Sequence, residues 1–318
     1  TCARLRARLL AWKPDVFVGI DAPDFNLGLE RWLKARGVRP GHYVSPSVSA
    51  WRDRHTAKTV RSPDRVLCLF PMEPAIYARH GVDARFVGHP MADAIALEPD
   101  RAAARAALGI GEGPVLALLP GSRLSEIARM LPVFLDALAL IAQPIPALSV
   151  LLPAANPQCD GAIRAQLQLR PDLAARVRVL DGQAQRAMIA SQVVLLASGT
   201  AALEAMLCKR PMVIGHRISP TTYRIVTALK LLKTRYVSLP NVLAEAAQEP
   251  AQVPELLQDD CTAEKLAAAV LRWLGHADAG AALEPQFRAI HERLRRNASA
   301  RAAEAVAELL RTPSPVPR

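Results

Sequence analysis

Aromatic residues are scarce in this 318-residue chain, at 4% of the total. Any core must therefore be built from Leu, Val, Ala and Ile. Cysteine is sparse as well: Cys2, Cys68, Cys159, Cys208 and Cys261 form no C-x-x-C pair, and their number is odd. That spacing excludes a zinc site of the usual kind and a disulfide framework, and it predicts buried free thiols. No metal and no cofactor are expected. No apolar run approaches the ~18 residues that a membrane-crossing helix needs, and no secretory signal pattern is present. There is no G-K-[ST], so no P-loop. The chain opens on Thr1 rather than Met, and Leu5–Trp12 reads as the middle of a helix, so a chain cut at its N-terminus is expected.

What is abundant is apolar aliphatic sequence and positive charge. Hydrophobic residues make up 51%, enough for a large core. The net charge is +11, with Arg outnumbering Lys. A basic balance favours anionic partners, whether nucleic acid, acidic lipid or a phosphorylated substrate, and Arg suits bidentate phosphate binding. The charge is dispersed and carries no nucleic-acid recognition motif, so no nucleic acid partner is expected.

Short apolar runs alternate with helical patterns. Strands are predicted near Val16–Ile20, His42–Val44, Val66–Phe70, Arg85–Val87, Val115–Leu119, Ser149–Leu152, Val177–Leu180, Val193–Ala197, Met212–Ile214 and Tyr236–Ser238. They are continuous rather than alternating, as parallel strands covered on both faces are. Strand–helix repetition means an α/β fold. Glu98-Pro99-Asp100 and Gly109–Pro114 bracket a short Ala/Arg-rich helix, after which a fresh strand begins. The predicted organisation is a first domain over 1–105, a second over 106–275, and C-terminal helices with a tail over 276–318. The tail carries Arg288, Arg293, Arg295, Arg296 and Arg301, read as a solvated helix face, a contact for anionic headgroups or a contact for nucleic acid. Pro313–Pro317 is expected to be disordered. Two doubly wound domains facing each other would make a cleft at their strand ends.

The polar motifs sit at those strand ends. Leu195–Glu204 runs from a strand through Ser198-Gly199-Thr200 into a helix. Free N–H groups at the positive end of that helix would suit a diphosphate, and Glu204 could accept from a sugar hydroxyl. Such a turn can also be a plain helix cap. Leu118–Arg123 ends another strand: Gly121 permits a tight turn, Ser122 can cap the next helix, and Arg123 can neutralise a diphosphate or pair with Glu126. Ser238–Asn241 follows the last predicted strand, and Asn241 offers a donor and an acceptor there or forms a turn. Glu255 and Gln258 are read three apart on one helix face, as a binding pair or as exposed polar filler. In the first domain, Asp21 leaves a strand directly and could act as a general base. Asp24 is read as the cap of the following helix, with Asn26 beside it. Ser45 and Ser47 end the next strand. His89 ends the last of that half, where it could orient a substrate, take a proton or simply pack.

Seven stretches in this order resemble the lipid-A-disaccharide synthase family, inverting glycosyltransferases of the GT-B class. They are Gly19–Asn26, His42–Ser47, Phe86–Pro90, Leu118–Arg123, Leu196–Glu204, Tyr236–Asn241 and Pro254–Gln258. The resemblance runs from about Lys13 to Leu310. It implies transfer from UDP-2,3-diacylglucosamine to 2,3-diacylglucosamine 1-phosphate, giving a β-1,6 disaccharide 1-phosphate and UDP, in lipid A biosynthesis of a Gram-negative bacterium. It implies Asp21, Arg123 and His89 as catalytic candidates. Ser122, Arg123, Ser198, Gly199, Thr200, Glu204, Asn241, Glu255 and Gln258 would hold the UDP-sugar. Asp21, Asp24, Asn26, Ser45 and Ser47 would lie on the acceptor side. It also implies a cytoplasmic, peripheral location on the inner face of the inner membrane and a homodimer through C-terminal helices.

Three departures stand out. The family's opening G-E-x-S-G-D strand-loop and a membrane-facing segment are absent, so the first domain is expected to be incomplete, with an exposed sheet edge. Ser49 replaces a family Trp, and His216 stands where a Tyr is usual. The alternatives are another UDP-sugar GT-B enzyme (an N-acetylglucosaminyl transferase or a UDP-N-acetylglucosamine 2-epimerase) or a catalytically dead truncated form.

Overall fold

The computed structural model describes residues 2–45, 61–197, 199–218 and 236–311. Ser47, Ser198, the Ser49 and Trp51 positions and the Pro313–Pro317 segment lie outside the described residues. Contacts divide the chain into two units, Thr1–Ala94 with Glu292–Arg318, and Ile95–His291. The helices beyond residue 276 are thus shared between the units.

The first unit begins with α1 (Cys2–Trp12), β1 (Val16–Ile20), α2 (Pro23–Lys34), β2 (Arg39–Tyr43) and β3 (Arg65–Cys68). Then come α3 (Glu73–Ala78), β4 (Asp83–Phe86) and α4 (Pro90–Ala94). Its strands are parallel in the order β1-β2-β3-β4, and among the described strands β1 pairs with β2 alone. One face is covered by Leu5 and Leu9 of α1 and by Leu29 and Leu33 of α2.

The second unit runs α5 (Arg101–Ala107), β5 (Val115–Leu119), α6 (Leu124–Ala142), β6 (Ser149–Ala154) and α7 (Pro157–Gln168). It continues with α8 (Pro171–Ala174), β7 (Val177–Asp181), α9 (Ala184–Ala190), β8 (Val193–Leu196), α10 (Thr200–Leu207) and β9 (Met212–His216). It closes with α11 (Leu239–Ala246), β10 (Glu255–Leu257), α12 (Ala263–Gly275) and α13 (Ala277–Leu294), and the last helix of the chain is α14 (Ala298–Arg311). All six strands are parallel, in the order β10-β9-β8-β5-β6-β7.

The continuous apolar strands are explained by coverage on both faces. Leu116 and Leu118 of β5 face α6, where Leu131, Phe134, Leu135 and Leu138 are fully buried at helical spacing. Val115 turns the other way, onto Ala104, Ala187 and Ala190. Burying each such Leu contributes about 1.5–3 kcal/mol, so truncating Phe134 to Ala would cost about 3–5 kcal/mol. The scarcity of aromatics is compensated by aliphatic area. Cys68, Cys159, Cys208 and Cys261 are buried free thiols, as expected.

In the first unit α14 packs through Ala302, Ala305 and Val306 onto Leu67, Leu69 and Val87. Arg39 Nη1 donates to Leu309 O at 3.0 Å, and Glu308 pairs with both Arg65 and Arg85. Asp93 accepts from Asn297 N at 2.9 Å and Ala298 N at 2.6 Å, capping α14 from α4. Gly88, at φ 97°, lets this segment approach, since a Cβ there would lie 2.9 Å from Leu294 O.

One predicted strand is displaced. Tyr236–Ser238 is not a strand: Ser238 precedes α11 as its N-cap, and the sheet's edge strand is Glu255–Leu257, read from sequence as a helix. Pairing with Ile214, Gly215 and His216 of β9 decides the strand. Among the described residues no helix is long and apolar enough to cross a membrane.

Candidate functional site

In the second unit the chain winds from β5 outward through β6 to β7, then crosses back to β8 and outward again. The reversal lies between β5 and β8, and α/β sheets bind ligands at the carboxyl ends of the strands flanking such a point. A cavity of about 440 Å³ opens there. Its lining comes from the ends of four strands: Gly121–Arg123 after β5, Ala154 and Ala155 at the end of β6, Gly182 after β7, and Gly199, Thr200 and Glu204 after β8.

Each turn is set by local chemistry. Gly121 has φ 130°, and a Cβ there would sit 2.4 Å from Glu126 Cβ. The Glu126 carboxylate folds back under the turn, accepting from Ser122 N at 2.9 Å and Arg123 N at 3.3 Å. Burial opposes its charge, but the Ser122 N–H, the Arg123 guanidinium and the Arg123 N–H outweigh it and hold the carboxyl below its ordinary value. Glu126 also binds Arg123 Nη1 at 2.7 Å, while the Arg123 side chain remains 77% exposed. The ion pair expected as the structural alternative is therefore present, and it steers an exposed cation to the cavity rim. Ser122 does not cap α6: Arg123 is the N-cap, and Glu126 performs the capping.

Gly199, at φ 136° and ψ −158°, precedes α10 without a side-chain cap. Residues with a Cβ rarely hold that backbone. Glu204 lies one turn inside the helix, half-buried, with no hydrogen-bond partner among the described residues. Burial raises its pKa. The cavity thus offers a cation, the start of an eight-residue helix and an uncommitted carboxylate, a set suited to a diphosphate joined to a hydroxyl-bearing group. Sequence reasoning missed Ala154, Ala155 and Gly182. Small residues directly after an apolar run were the available signal.

Asn241, Glu255 and Gln258 are not among the cavity's lining residues. Asn241 is 1% exposed and its amide is fully used. Its Nδ2 donates to Val253 O and Glu255 Oε1, both at 2.8 Å, and its Oδ1 accepts from Gln252 N at 2.8 Å and Val253 N at 3.1 Å. Glu255 accepts in addition from Ser238 N at 3.1 Å, Ser238 Oγ at 2.5 Å and Val237 N at 2.8 Å. Gln258 Oε1 accepts from Ile218 N at 2.9 Å. These three residues brace the segments after β9 and before β10.

In the first unit, exposed Asp21 follows β1 at φ 48°, and Ala22 follows at φ 42°. Asn26 Nδ2 donates to Ile20 O at 3.0 Å and Asp21 O at 2.7 Å. Asp24 is not the cap: the N-cap is Ala22, Pro23 opens the helix, and Asp24 lies in its first turn, where a negative charge suits the dipole. Two exposed apolar side chains flank the turn, Ile20 at 64% and Phe25 at 50%. Ser45 is buried, with its Oγ 2.9 Å from Tyr77 Oη.

His89 is neutral at ordinary pH, its pKa lowered to about 4 by burial, with Asp93 acting in the opposite direction. Its Nδ1 accepts from Met91 N at 3.2 Å, which leaves the proton on Nε2. The ring lies against Phe70 at 5.5 Å between centroids. His89 can therefore donate from Nε2, but it has no free lone pair with which to take a proton. Glu73, buried and passed over in the sequence, accepts from Phe70 N at 3.0 Å. Burial raises its pKa to about 7 against the hydrogen bonds from Phe70 N–H, Ser45 and Leu69 N–H.

Comparison with known proteins adds the family. Residues 2–308 match the family model described as lipid-A-disaccharide synthetase. A lipid-A-disaccharide synthase of Xanthomonas axonopodis pv. citri is 59% identical over 306 residues, covering 96% of this chain and 69% of the relative. One of Xylella fastidiosa is 56% identical over 304 residues, covering 95% and 78%. Among solved structures, a putative UDP-N-acetylglucosamine 2-epimerase from Listeria monocytogenes aligns with TM-score 0.64 at 14% identity, covering 99% of this chain and 80% of that one. The UDP-GlcNAc 2-epimerase from Neisseria meningitidis, solved with UDP-GlcNAc bound, aligns with TM-score 0.62 at 13% identity, covering 98% and 80%. At such identities the likeness is one of fold: two Rossmann-like sheets of the GT-B type.

Proposed function

The chain belongs to the lipid-A-disaccharide synthase family, and from that premise we propose that it joins UDP-2,3-diacylglucosamine to 2,3-diacylglucosamine 1-phosphate. It is a glycosyltransferase acting in lipid A disaccharide synthesis. The observation that carries the reading is the cavity at the β5/β8 reversal, where Arg123, the start of α10 and Glu204 meet. The UDP diphosphate lies along Arg123 and the α10 N–H groups, and Glu204 accepts from a hydroxyl of the nucleotide.

Inversion at the anomeric carbon needs one displacement. The acceptor 6-hydroxyl attacks that carbon, Asp21 takes the hydroxyl proton, and the bond to the β-phosphate oxygen breaks, releasing UDP. Charge grows on the departing diphosphate, where Arg123 and the helix start are most stabilising. Asp21 suits the acceptor side because Ile20 and Phe25 give its turn an apolar rim for acyl chains. Acyl-bearing substrates support a location at the surface of the inner membrane, so the enzyme should bind mixed micelles and need them for turnover. In an exchanged homodimer, a second copy's C-terminal helix would dock on Arg39, Arg65 and Arg85.

Asp21→Asn tests the assignment. UDP binding should be unchanged, and turnover with both lipid substrates should fall by about 10²–10⁴-fold, the usual contribution of a general base. Turnover retained in that variant would refute it.

A further inference from the structure

Asp21 and Ala22 both hold left-handed backbone, at φ 48° and 42°. Neither is glycine, and a Cβ disfavours that region at each step. Two such residues in succession persist only where the surroundings over-determine them.

The surroundings here are specific. Asp21 N donates to Tyr43 O of β2 at 2.9 Å, fixing one side of the turn. The carbonyls of Ile20 and Asp21, which flank the Asp21 Cα, both accept from Asn26 Nδ2. A primary amide has two N–H groups on that nitrogen, and both are spent on these carbonyls. Asn26 is itself held. It lies one turn before Glu30 on the same face of α2, and Glu30 Oε1 meets His42 Nδ1 at 2.6 Å, with both side chains fully buried. Gly19 makes room for this approach: a Cβ there would lie 2.1 Å from Glu30 Oε1 and 3.0 Å from Asn26 Cβ.

We infer that Asn26 is a positioning residue: it clamps the strained Asp21–Ala22 turn and so fixes the direction in which the Asp21 carboxylate leaves β1. Its amide nitrogen is committed to the backbone rather than to the acceptor. The inference rests on the reading of Asp21 as the base, and it adds that the base is aimed by a side chain that does not touch substrate. Its logic predicts rescue. Glycine at position 22 holds a positive φ without a Cβ penalty, so the turn should then form with less need of the clamp.

The test uses the whole chain and five variants. Asn26→Ala and Asn26→Asp should each lower kcat by about 10²-fold, the scale of an ångström-sized misplacement, with UDP affinity unchanged. Asp is included because its carboxylate matches Asn in shape yet cannot donate to a carbonyl. Ala22→Gly alone should leave kcat unchanged, and Asn26→Ala with Ala22→Gly should recover most of the lost kcat. Wild-type turnover in Asn26→Ala, or no recovery in the double variant, would overturn the inference. Backbone couplings measured by NMR separate this from the base assignment. If Asp21→Asn retains turnover, the base reading fails. If positive φ persists at residues 21 and 22 in Asn26→Ala, the clamp fails whatever Asp21 does.

Discussion

Asn241 offers the sharpest test of how the second unit is built, because a ligand contact and a brace predict opposite results. In Asn241→Asp the shape is kept but the two donated hydrogen bonds are lost. The new oxygen would face Val253 O and Glu255 Oε1, where Nδ2 stood 2.8 Å from each. A buried acceptor left unpaired costs about 1–3 kcal/mol. Glu255 Oε1 keeps its bonds from Ser238 N and Oγ, so its share is at the low end. The sum is about 3 kcal/mol, which for a unit of about 200 residues lowers Tm by about 6–12 °C.

The penalty should depend on pH. Burial and the neighbouring Glu255 carboxylate raise the new Asp's folded-state pKa above its unfolded value. The folded state then binds more protons between the two values, so the variant loses stability as pH rises through that window. Thermal melts at several pH values, with UDP titrated by calorimetry, supply the data. Tm unchanged at neutral pH together with UDP affinity weakened by more than about tenfold, some 1.4 kcal/mol, would refute the brace and return Asn241 to the ligand.

Arg123→Ala should leave stability within about 0.5 kcal/mol, as an exposed side chain does. It should weaken UDP by about 10–10²-fold, the worth of a charge-assisted hydrogen bond, read by calorimetry. Two buried groups of the first unit should tilt its pH–stability curve in opposite directions. Glu73, with its pKa raised to about 7, binds protons preferentially in the folded state, so its contribution falls as pH rises from the unfolded carboxylate value toward 7. His89, lowered to about 4, binds protons preferentially when unfolded, so stability falls as pH drops from about 6.5 toward 4. Denaturant midpoints across pH should show Glu73→Gln abolishing the first slope and His89→Gln the second.

Much of this was readable along the chain because parallel strands covered on both faces leave a strong one-dimensional trace. Val115–Leu119 and Val193–Leu196 are unbroken apolar runs followed by small residues, so β5, β8 and the turns after them could be placed before any contact was known. Where strand identity depended on a neighbour, the trace failed. Glu255-Leu256-Leu257 has no strand periodicity of its own and becomes β10 by pairing with β9. Tyr236–Ser238 looks more like a strand, yet its Val237 and Ser238 N–H groups are claimed by the Glu255 side chain.

The same division runs through the site residues. Sequence by itself determined the class of fold, the order of its motifs and the residues at the strand ends, since hydrophobic period and glycine placement are local properties. Only the tertiary structure decided which of those residues are free to act. Asn241 and Glu255 are polar and aligned with a motif, but their hydrogen-bonding capacity is spent on each other and on nearby backbone. Arg123 keeps an exposed guanidinium and Glu204 an uncommitted carboxylate. Satisfaction of a polar group depends on what folds against it, and that information lies in partners distant along the chain.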